Sequence, residues 1–160
     1  MKMNEGVEWA LHSCVNLSFI PGETVTAKRL AAFYNLPTAY LNKQLQALNR
    51  AGILSSTSGP KGGFQLARRP DQISLLDIVV AIDGAEDAFR CAGILKDGPS
   101  GDPKADYRKT CLISQAMRTA ELNYRRELAG QTIADIVHQV QTTFPDTPDN
   151  TRNWFANLKS

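Results

Sequence analysis

The first part of the chain shows helical patterns of apolar residues separated by short polar breaks. Apolar residues recur at three- and four-residue steps over 7–20, 30–33 and 41–48, which is the spacing of one buried helix face. Thr26 is a suitable N-cap for the second of these helices, and Thr38 begins the third. Because the second and third helices are short and joined by a tight turn, they form the pattern of a helix-turn-helix.

Two short strand-like segments follow at 53–57 and 63–66, separated by a glycine-rich turn that carries Lys61. This pattern predicts a β-hairpin, which beside a helix-turn-helix is called a wing. Ser74 and Asp77 have the spacing of a capping box and start a fourth helix. Together these elements predict a winged helix-turn-helix.

The second half of the chain begins with an irregular segment and a long helix. Residues 85–110 contain several Gly and Pro residues with little periodicity, and a loop of this length is usually functional or disordered. From Cys111 onward, apolar residues lie on two sides of a predicted helix. Because the preceding domain can cover only one side, we expect a symmetric contact between two subunits to cover the other.

The end of the chain contains one more predicted helix and a polar tail. Thr132 is the expected N-cap of the helix, and the tail begins beyond Phe144. Within the tail, Trp154, Phe155 and Leu158 either dock as one helical turn on a neighbour or belong to a disordered end.

The charge of the chain is unevenly distributed. Residues 1–69 carry eight Lys and Arg against three acidic residues, whereas residues 70–160 carry ten against thirteen. A basic first half is expected to contact a polyanion.

The composition excludes several classes of protein. The chain has 160 residues, of which 42% are hydrophobic and 21% charged, as in an ordinary globular domain. No apolar run approaches the roughly 20 residues that cross a bilayer, and acidic residues interrupt the N-terminal segment where a secretory signal would be apolar. We therefore expect a cytoplasmic protein without a membrane partner. Its three cysteines favour metal binding, redox sensing or burial over disulfides.

A polar face on the third helix is the candidate DNA-reading surface. Major-groove helices read bases with their first two turns, which favours Thr38, Ala39 and Asn42 as base contacts. The cationic wing turn adds contacts in the minor groove. The expected DNA-binding residues are Lys28, Thr38, Ala39, Tyr40, Asn42, Lys43, Arg50, Ser58, Pro60, Lys61 and Gly62. The alternative interpretation is an ordinary solvated helix face.

Three segments resemble the IscR/NsrR family of bacterial winged-helix transcription regulators. They are 40–54, 59–67 and 73–84, which read YLxxxLxxLxxAGIL, GPKGGFxLA and ISLLDIVxAIDG. The resemblance extends from residue 6 to about residue 140. It implies a homodimeric repressor that binds operator DNA, with a long dimerisation helix and, in many members, an iron–sulfur cluster near the preceding loop.

The cysteines depart from the usual pattern of the cluster-carrying members. Those members typically place three cysteines a few residues apart in the loop, whereas this chain has only Cys91 and Cys111 there. A redox-sensing branch, typified by RsrR, resembles this chain in the motif GVEWALH at 6–12 and in two widely spaced cysteines. That resemblance implies a 2Fe-2S cluster held by Cys91 and Cys111 of one subunit and by Glu8 and His12 of the other.

We therefore expect a mainly α protein, with a winged helix-turn-helix and a long C-terminal dimerisation helix. Four regions are expected along the chain. They are a DNA-binding domain at 1–84, a cofactor-binding loop at 85–110, dimerisation helices at 111–143 and a C-terminal tail at 144–160.

Several alternatives remain open from the sequence. A family member without a cluster would sense a protein partner, a small molecule or thiol oxidation, and a zinc site would use the same four ligands. Glu8 and His12 alone fit an ordinary surface pair, and Cys14 fits plain burial. An enzyme is not expected, because the chain lacks Cys-x-x-Cys, Walker and His-Glu-x-x-His motifs, and His138 fits a surface or core position on a late helix.

Overall fold

The computed structural model describes residues 3–157 and is mainly helical, with one small antiparallel sheet. The helices are α1 (Glu5–Ser18), α2 (Ala27–Phe33), α3 (Thr38–Arg50), α4 (Leu75–Asp83), α5 (Tyr107–Thr110), α6 (Leu112–Ala129), α7 (Ile133–Thr143) and α8 (Thr147–Asn157). The strands are β1 (Leu54–Thr57) and β2 (Gly63–Leu66). This order confirms the predicted winged helix-turn-helix. No helix in the described part of the chain is long and apolar enough to span a membrane.

Local capping explains where most of the helices begin. The Thr26 side chain accepts a hydrogen bond from the Arg29 N–H, and Ser74 and Asp77 make both hydrogen bonds of the predicted capping box. The third helix begins at Thr38, as predicted, and its N-cap is Pro37. Pro37 makes no side-chain cap bond, and it ends the tight turn in an extended conformation from which the helix starts.

The hydrophobic core lies between α1, α3 and α4 and extends to α7. The predicted stripe of α3 is confirmed, since Leu41, Leu45 and Leu48 are fully buried. The start of α7 joins this core through Ile133, whose N–H donates to the carbonyl oxygen of Ile73 at 2.9 Å. The long C-terminal region is therefore packed directly onto the winged domain.

The wing is connected to the segment before α2. The two strands pair in register from Leu54 with Leu66 to Thr57 with Gly63. Val25 and Phe64 exchange two backbone hydrogen bonds of 2.9 and 2.8 Å, which attach the hairpin to the rest of the domain. A Cβ at Gly63 would lie 2.5 Å from the Val25 carbonyl carbon, and its φ of +144° also favours glycine.

Helix α6 has one packed side and one open side. Ser114 and Glu121 are buried, and α6 packs against α4 on that side. In contrast, Leu112 is 78% exposed and Ile113 68% exposed. The segment before α6 is mostly irregular, with a 3₁₀ turn at Ile94–Asp97 and the short α5.

The C-terminal tail is an ordered helix in this structure. Phe155 is fully buried, its ring stacks on Phe33 of α2 at 5.3 Å, and Trp154 meets Phe33 edge-on at 4.9 Å. Of the two alternatives from the sequence, docking is therefore the one observed, although α8 has eleven residues and docks on its own chain. Leu158, the third apolar residue of the predicted turn, lies outside the described residues.

Candidate nucleic-acid interface and metal-ligand positions

Most of the predicted base and phosphate contacts are accessible on α3 and α2. Thr38, Ala39, Tyr40, Lys43 and Arg50 are exposed on α3. Asn42 is half-buried on the same helix, and Lys28 is exposed on α2. The surface opposite the buried leucines is thus polar and cationic, as a helix in the major groove requires.

Tyr40, a predicted phosphate contact, also has a structural role. Its ring meets Trp9 of α1 edge-on at 5.0 Å, and its hydroxyl donates to Asn4 Oδ1 at 3.2 Å. Asn4 is the N-cap of α1, because the same oxygen accepts the Gly6 N–H at 2.8 Å. Helix α3, which carries Tyr40, is therefore connected to the first turn of α1.

The backbone of the wing turn that carries Lys61 is held by a hydrogen bond. Ser58, Pro60 and Lys61 are exposed at the turn. The carbonyl oxygen of Lys61 accepts a 2.8 Å hydrogen bond from the Thr24 hydroxyl, which holds the turn near the start of α2. Thr24 was not predicted from the sequence, because nothing in a local pattern links it to a residue so far along the chain.

Gly62 differs from the other predicted wing contacts because it is buried. A Cβ there would lie 2.1 Å from the carbonyl oxygen of Thr57, so only glycine fits beneath the turn. Its position indicates that it shapes the wing instead of offering a surface to DNA.

Glu8 and His12 share one exposed face of α1, one helical turn apart. The His12 Nδ1 atom lies 3.3 Å from the hydroxyl of Tyr34, and the two rings meet edge-on at 5.2 Å. The Tyr34 hydroxyl donates to Asn16 Oδ1 at 3.3 Å, so it accepts from a protonated Nδ1 of His12. That tautomer leaves the Nε2 lone pair of His12 free to bind a metal.

Tyr34 connects this face to the helix-turn-helix, because it is the C-cap residue of α2. Burial raises the pKa of Tyr34 above its ordinary value, more than the hydrogen bond to Asn16 lowers it. The phenol is therefore neutral at physiological pH and keeps the proton that it donates to Asn16.

The two loop cysteines are half-buried at opposite ends of the irregular segment. Cys91 lines a cavity of about 650 Å³ between this segment and α6. Cys111 is the N-cap residue of α6, directly before its exposed Leu112 and Ile113. Arginine and lysine side chains dominate the charged lining of the cavity: Arg90, Lys96, Lys104, Arg108 and Arg118.

A single chain does not assemble the four predicted metal ligands. Over residues 3–157, no group of three or more His, Cys, Asp and Glu side chains is placed to hold a metal ion. Thiolate, imidazole and carboxylate donors nevertheless suit iron and zinc. A site built from these four residues would therefore need donors from a second chain.

Cys14 is excluded as a ligand by its surroundings. It is fully buried in the core, and this burial raises the pKa of its thiol from 9.0 to about 12. The interpretation of Cys14 as a small buried apolar residue is confirmed. His138 is exposed on α7, in agreement with a surface position.

Comparison with known proteins agrees with this fold. YffB, a candidate HTH-type transcriptional regulator of Lactococcus lactis, is 28% identical over 145 residues, which is 90% of this chain and 92% of YffB. The structure of CymR, the global cysteine regulator of B. subtilis, superimposes with a TM-score of 0.63 at 21% identity, covering 87% of this chain and 98% of CymR. That of T. potens IscR gives 0.66 at 20% identity, covering 90% and 91%.

A sequence profile for a whole family also matches most of the chain. The profile is described as Rrf2, iron-dependent transcriptional regulator, and it matches residues 3–139. The matched region includes the recognition helix, the wing, both loop cysteines and α6. The chain therefore belongs to the Rrf2 family of transcriptional regulators.

Proposed function

We propose that this Rrf2-family regulator represses transcription as a homodimer and that a 2Fe-2S cluster shared between the subunits controls its affinity for operator DNA. The observation that carries the proposal is the hydrogen bond between His12 and Tyr34. It links a candidate cluster ligand on α1 to the C-cap residue of α2, at the turn of the helix-turn-helix.

The DNA-binding part of the proposal rests on α3 and the wing. Thr38, Ala39 and Asn42 would read base edges from the first two turns of α3. Phosphate and minor-groove contacts would come from the remaining predicted residues, which are Lys28, Tyr40, Lys43, Arg50, Ser58, Pro60 and Lys61. Gly62 would contribute only by allowing the wing turn.

The proposed cluster ligands are Cys91 and Cys111 from one subunit and Glu8 and His12 from the other. When bound, a 2Fe-2S cluster supplies a one-electron change of charge at a potential that imidazole ligation raises. In the protein, the Nδ1–H of His12 is held by Tyr34, which orients the ring and leaves Nε2 available. Of the two free cysteines, Cys91 lies in the loop at 85–110, and Cys111 lies at the start of α6, next to the open face of that helix.

Close packing gives α1 a second connection to the DNA-reading helix. A Cβ at Gly6 would lie 2.7 Å from the buried side chain of Gln44 on α3, so these helices are in tight contact. Since packed helices move together and not independently, a displacement of α1 would also move α3.

The proposal is tested on the full chain purified and reconstituted without oxygen. We expect absorption between about 300 and 600 nm, with iron and sulfide in equal amounts, and an operator affinity that changes on reduction. The Cys91→Ala variant should lose the absorption and the redox response of DNA binding together. The Tyr34→Phe variant should keep the absorption while its DNA response to reduction decreases. A colourless protein after reconstitution would contradict the cluster.

A cluster-free thiol sensor is the second candidate, favoured by the accessibility of Cys91 and Cys111 against the burial of Cys14. In that case, DNA affinity would respond to thiol oxidation in colourless protein, and Cys91→Ala would abolish the response. A zinc site with the same ligands would instead give one zinc without iron or sulfide in elemental analysis.

A further inference from the structure

Glu121 is a buried carboxylate on α6 that belongs neither to the DNA-facing surface nor to the proposed ligands. Its residue is only 9% exposed. One carboxylate oxygen accepts a 3.0 Å hydrogen bond from Arg125 Nε, and the other accepts the backbone N–H of Ala88 at 3.2 Å. A buried charge is costly unless it is paired in this way, so Glu121 depends on both partners.

Arg125 extends the same contact to the neighbouring backbone. Its terminal nitrogen donates to the carbonyl oxygens of Ala85 at 3.1 Å and Glu86 at 3.2 Å. The two side chains, one helical turn apart, therefore bind three backbone groups of residues 85–88. We refer to Glu121 and Arg125 as the α6 clamp.

The bound segment has little other backbone support. It starts directly after Gly84, which ends α4 in a left-handed conformation with a φ of +88°. Within the described part of the chain, residues 85–92 make no backbone-to-backbone hydrogen bond. Among the described residues, the hydrogen bonds of this segment to α6 are those of the clamp.

The clamp also relates the two loop cysteines to one rigid element. Cys91 follows Ala88 by three residues, and Cys111 is the N-cap of the helix that carries the clamp. Glu121 and Cys91 line the same cavity of about 650 Å³. Because the residues of a helix keep fixed distances from one another, a segment hydrogen-bonded to Glu121 has a defined position relative to Cys111.

We propose that Glu121 and Arg125 are positioning residues that hold the Cys91 segment against α6 and thereby set the placement of Cys91 relative to Cys111. This inference rests on the proposed function only in assigning a sensing role to the two cysteines. The positioning itself is a property of the chain without any cofactor.

The first test uses the reduced full chain after removal of metal with a chelator. In Arg125→Met, hydrogen exchange of the Ala88 amide should increase by about tenfold or more, because its acceptor Glu121 loses the partner that positions the carboxylate. The rate at which Cys91 reacts with an alkylating reagent should change at least threefold relative to that of Cys111. Arg126→Met, which removes an exposed cation from the next position of α6, should change neither rate.

A second variant keeps the test decisive if Arg125→Met does not fold. Glu121→Gln keeps an acceptor for Ala88 and loses the ion pair, so it should show a smaller increase in exchange of the Ala88 amide. The double variant should show no more exchange than Arg125→Met alone, since the two residues act on one segment. Unchanged exchange in both single variants would overturn the clamp.

The last readout separates the clamp from the proposed cluster. A colourless wild-type protein refutes the cluster, while the exchange and alkylation results still decide the clamp. In protein that binds a cluster, Arg125→Met should shift the reduction potential and Arg126→Met should not. Faster exchange without any change in Cys91 reactivity would overturn the positioning of Cys91.

Discussion

Two residues of α1 that are two positions apart have opposite environments because they point to different sides of the helix. Successive residues rotate by about 100°, so His12 and Cys14 lie on nearly opposite sides of the helix. His12 is exposed next to Tyr34, whereas Cys14 is fully buried. Reactivity therefore follows the direction of each side chain and not the order along the chain.

We expect Cys14 to resist alkylation in the native protein. The thiolate is the reacting form, and burial raises the pKa of Cys14 to about 12, so almost none is present at pH 8. In reduced, metal-free protein, iodoacetamide should modify Cys91 and Cys111, and Cys14 only after unfolding. Peptide mass spectrometry measures the three rates. Reaction of native Cys14 at a rate similar to that of Cys91 would show that the core is open.

At the scale of elements, α8 extends the support of the helix-turn-helix. It packs on α2 through Phe155 and Trp154, and the Arg29 side chain of α2 donates to the Phe155 carbonyl oxygen. The Arg29 guanidinium also lies 5.6 Å from the centre of the Phe155 ring, within cation–π range. Helix α8 therefore holds α2, the helix that precedes the candidate DNA-reading helix α3.

We expect Phe155→Ala to lower the free energy of unfolding by about 3–5 kcal/mol, because it removes a fully buried ring. The matched control is Phe144→Ala, since Phe144 is 63% exposed and its loss should cost less than about 0.5 kcal/mol. Urea denaturation followed by circular dichroism measures both. Equal effects of the two substitutions would mean that α8 is not docked in solution.

The wing and α3 should contribute differently to DNA binding. Lys61→Ala should weaken binding to all duplexes similarly, because it removes a contact to the DNA phosphate backbone. The salt dependence of the binding constant should decrease by about one counterion. Asn42→Ala should cost about 1–3 kcal/mol at one base pair of each half-site. Lys104→Ala, an exposed cation of the irregular segment, is the control. Operator titrations at several salt concentrations measure these effects. If both variants bind DNA like the control, the assignment of Lys61 and Asn42 as DNA contacts is wrong.

At the scale of the whole molecule, the open face of α6 requires a partner to become buried. Leu112 and Ile113 are 78% and 68% exposed, and Met117 and Leu122 are 43% and 49% exposed on the same helix. A second copy with the same face would bury these side chains symmetrically. In such a dimer, Cys111 would lie at the edge of the contact.

We expect Ile113→Glu to weaken the dimer at least tenfold, because it places a charge in an apolar contact. Sedimentation equilibrium measures the change, and Gln141→Glu on the exposed side of α7 is the control. A wild-type protein that is monomeric at micromolar concentration would remove the basis for a shared metal site.

The structure shows how far local reasoning extends in this protein. The caps at Thr26, Ser74 and Thr132 were predictable, because each acts on a backbone group three residues away. The polar face of α3 was predictable for the same reason, since helix periodicity alone separates it from the leucines. The start of α3 at Thr38 was predictable as well, because the tight turn before it, with Asn35 at a φ of +53°, ends at Pro37.

Contacts between distant segments required the three-dimensional fold. Glu121 and Arg125 have the spacing of an ordinary surface ion pair, and only the arrival of residues 85–88 buries the carboxylate. Likewise, Phe155 meets Phe33 only because α7 brings the end of the chain back to α2. Periodicity and capping are short-range and can be read along the chain, whereas burial depends on which surfaces meet after folding.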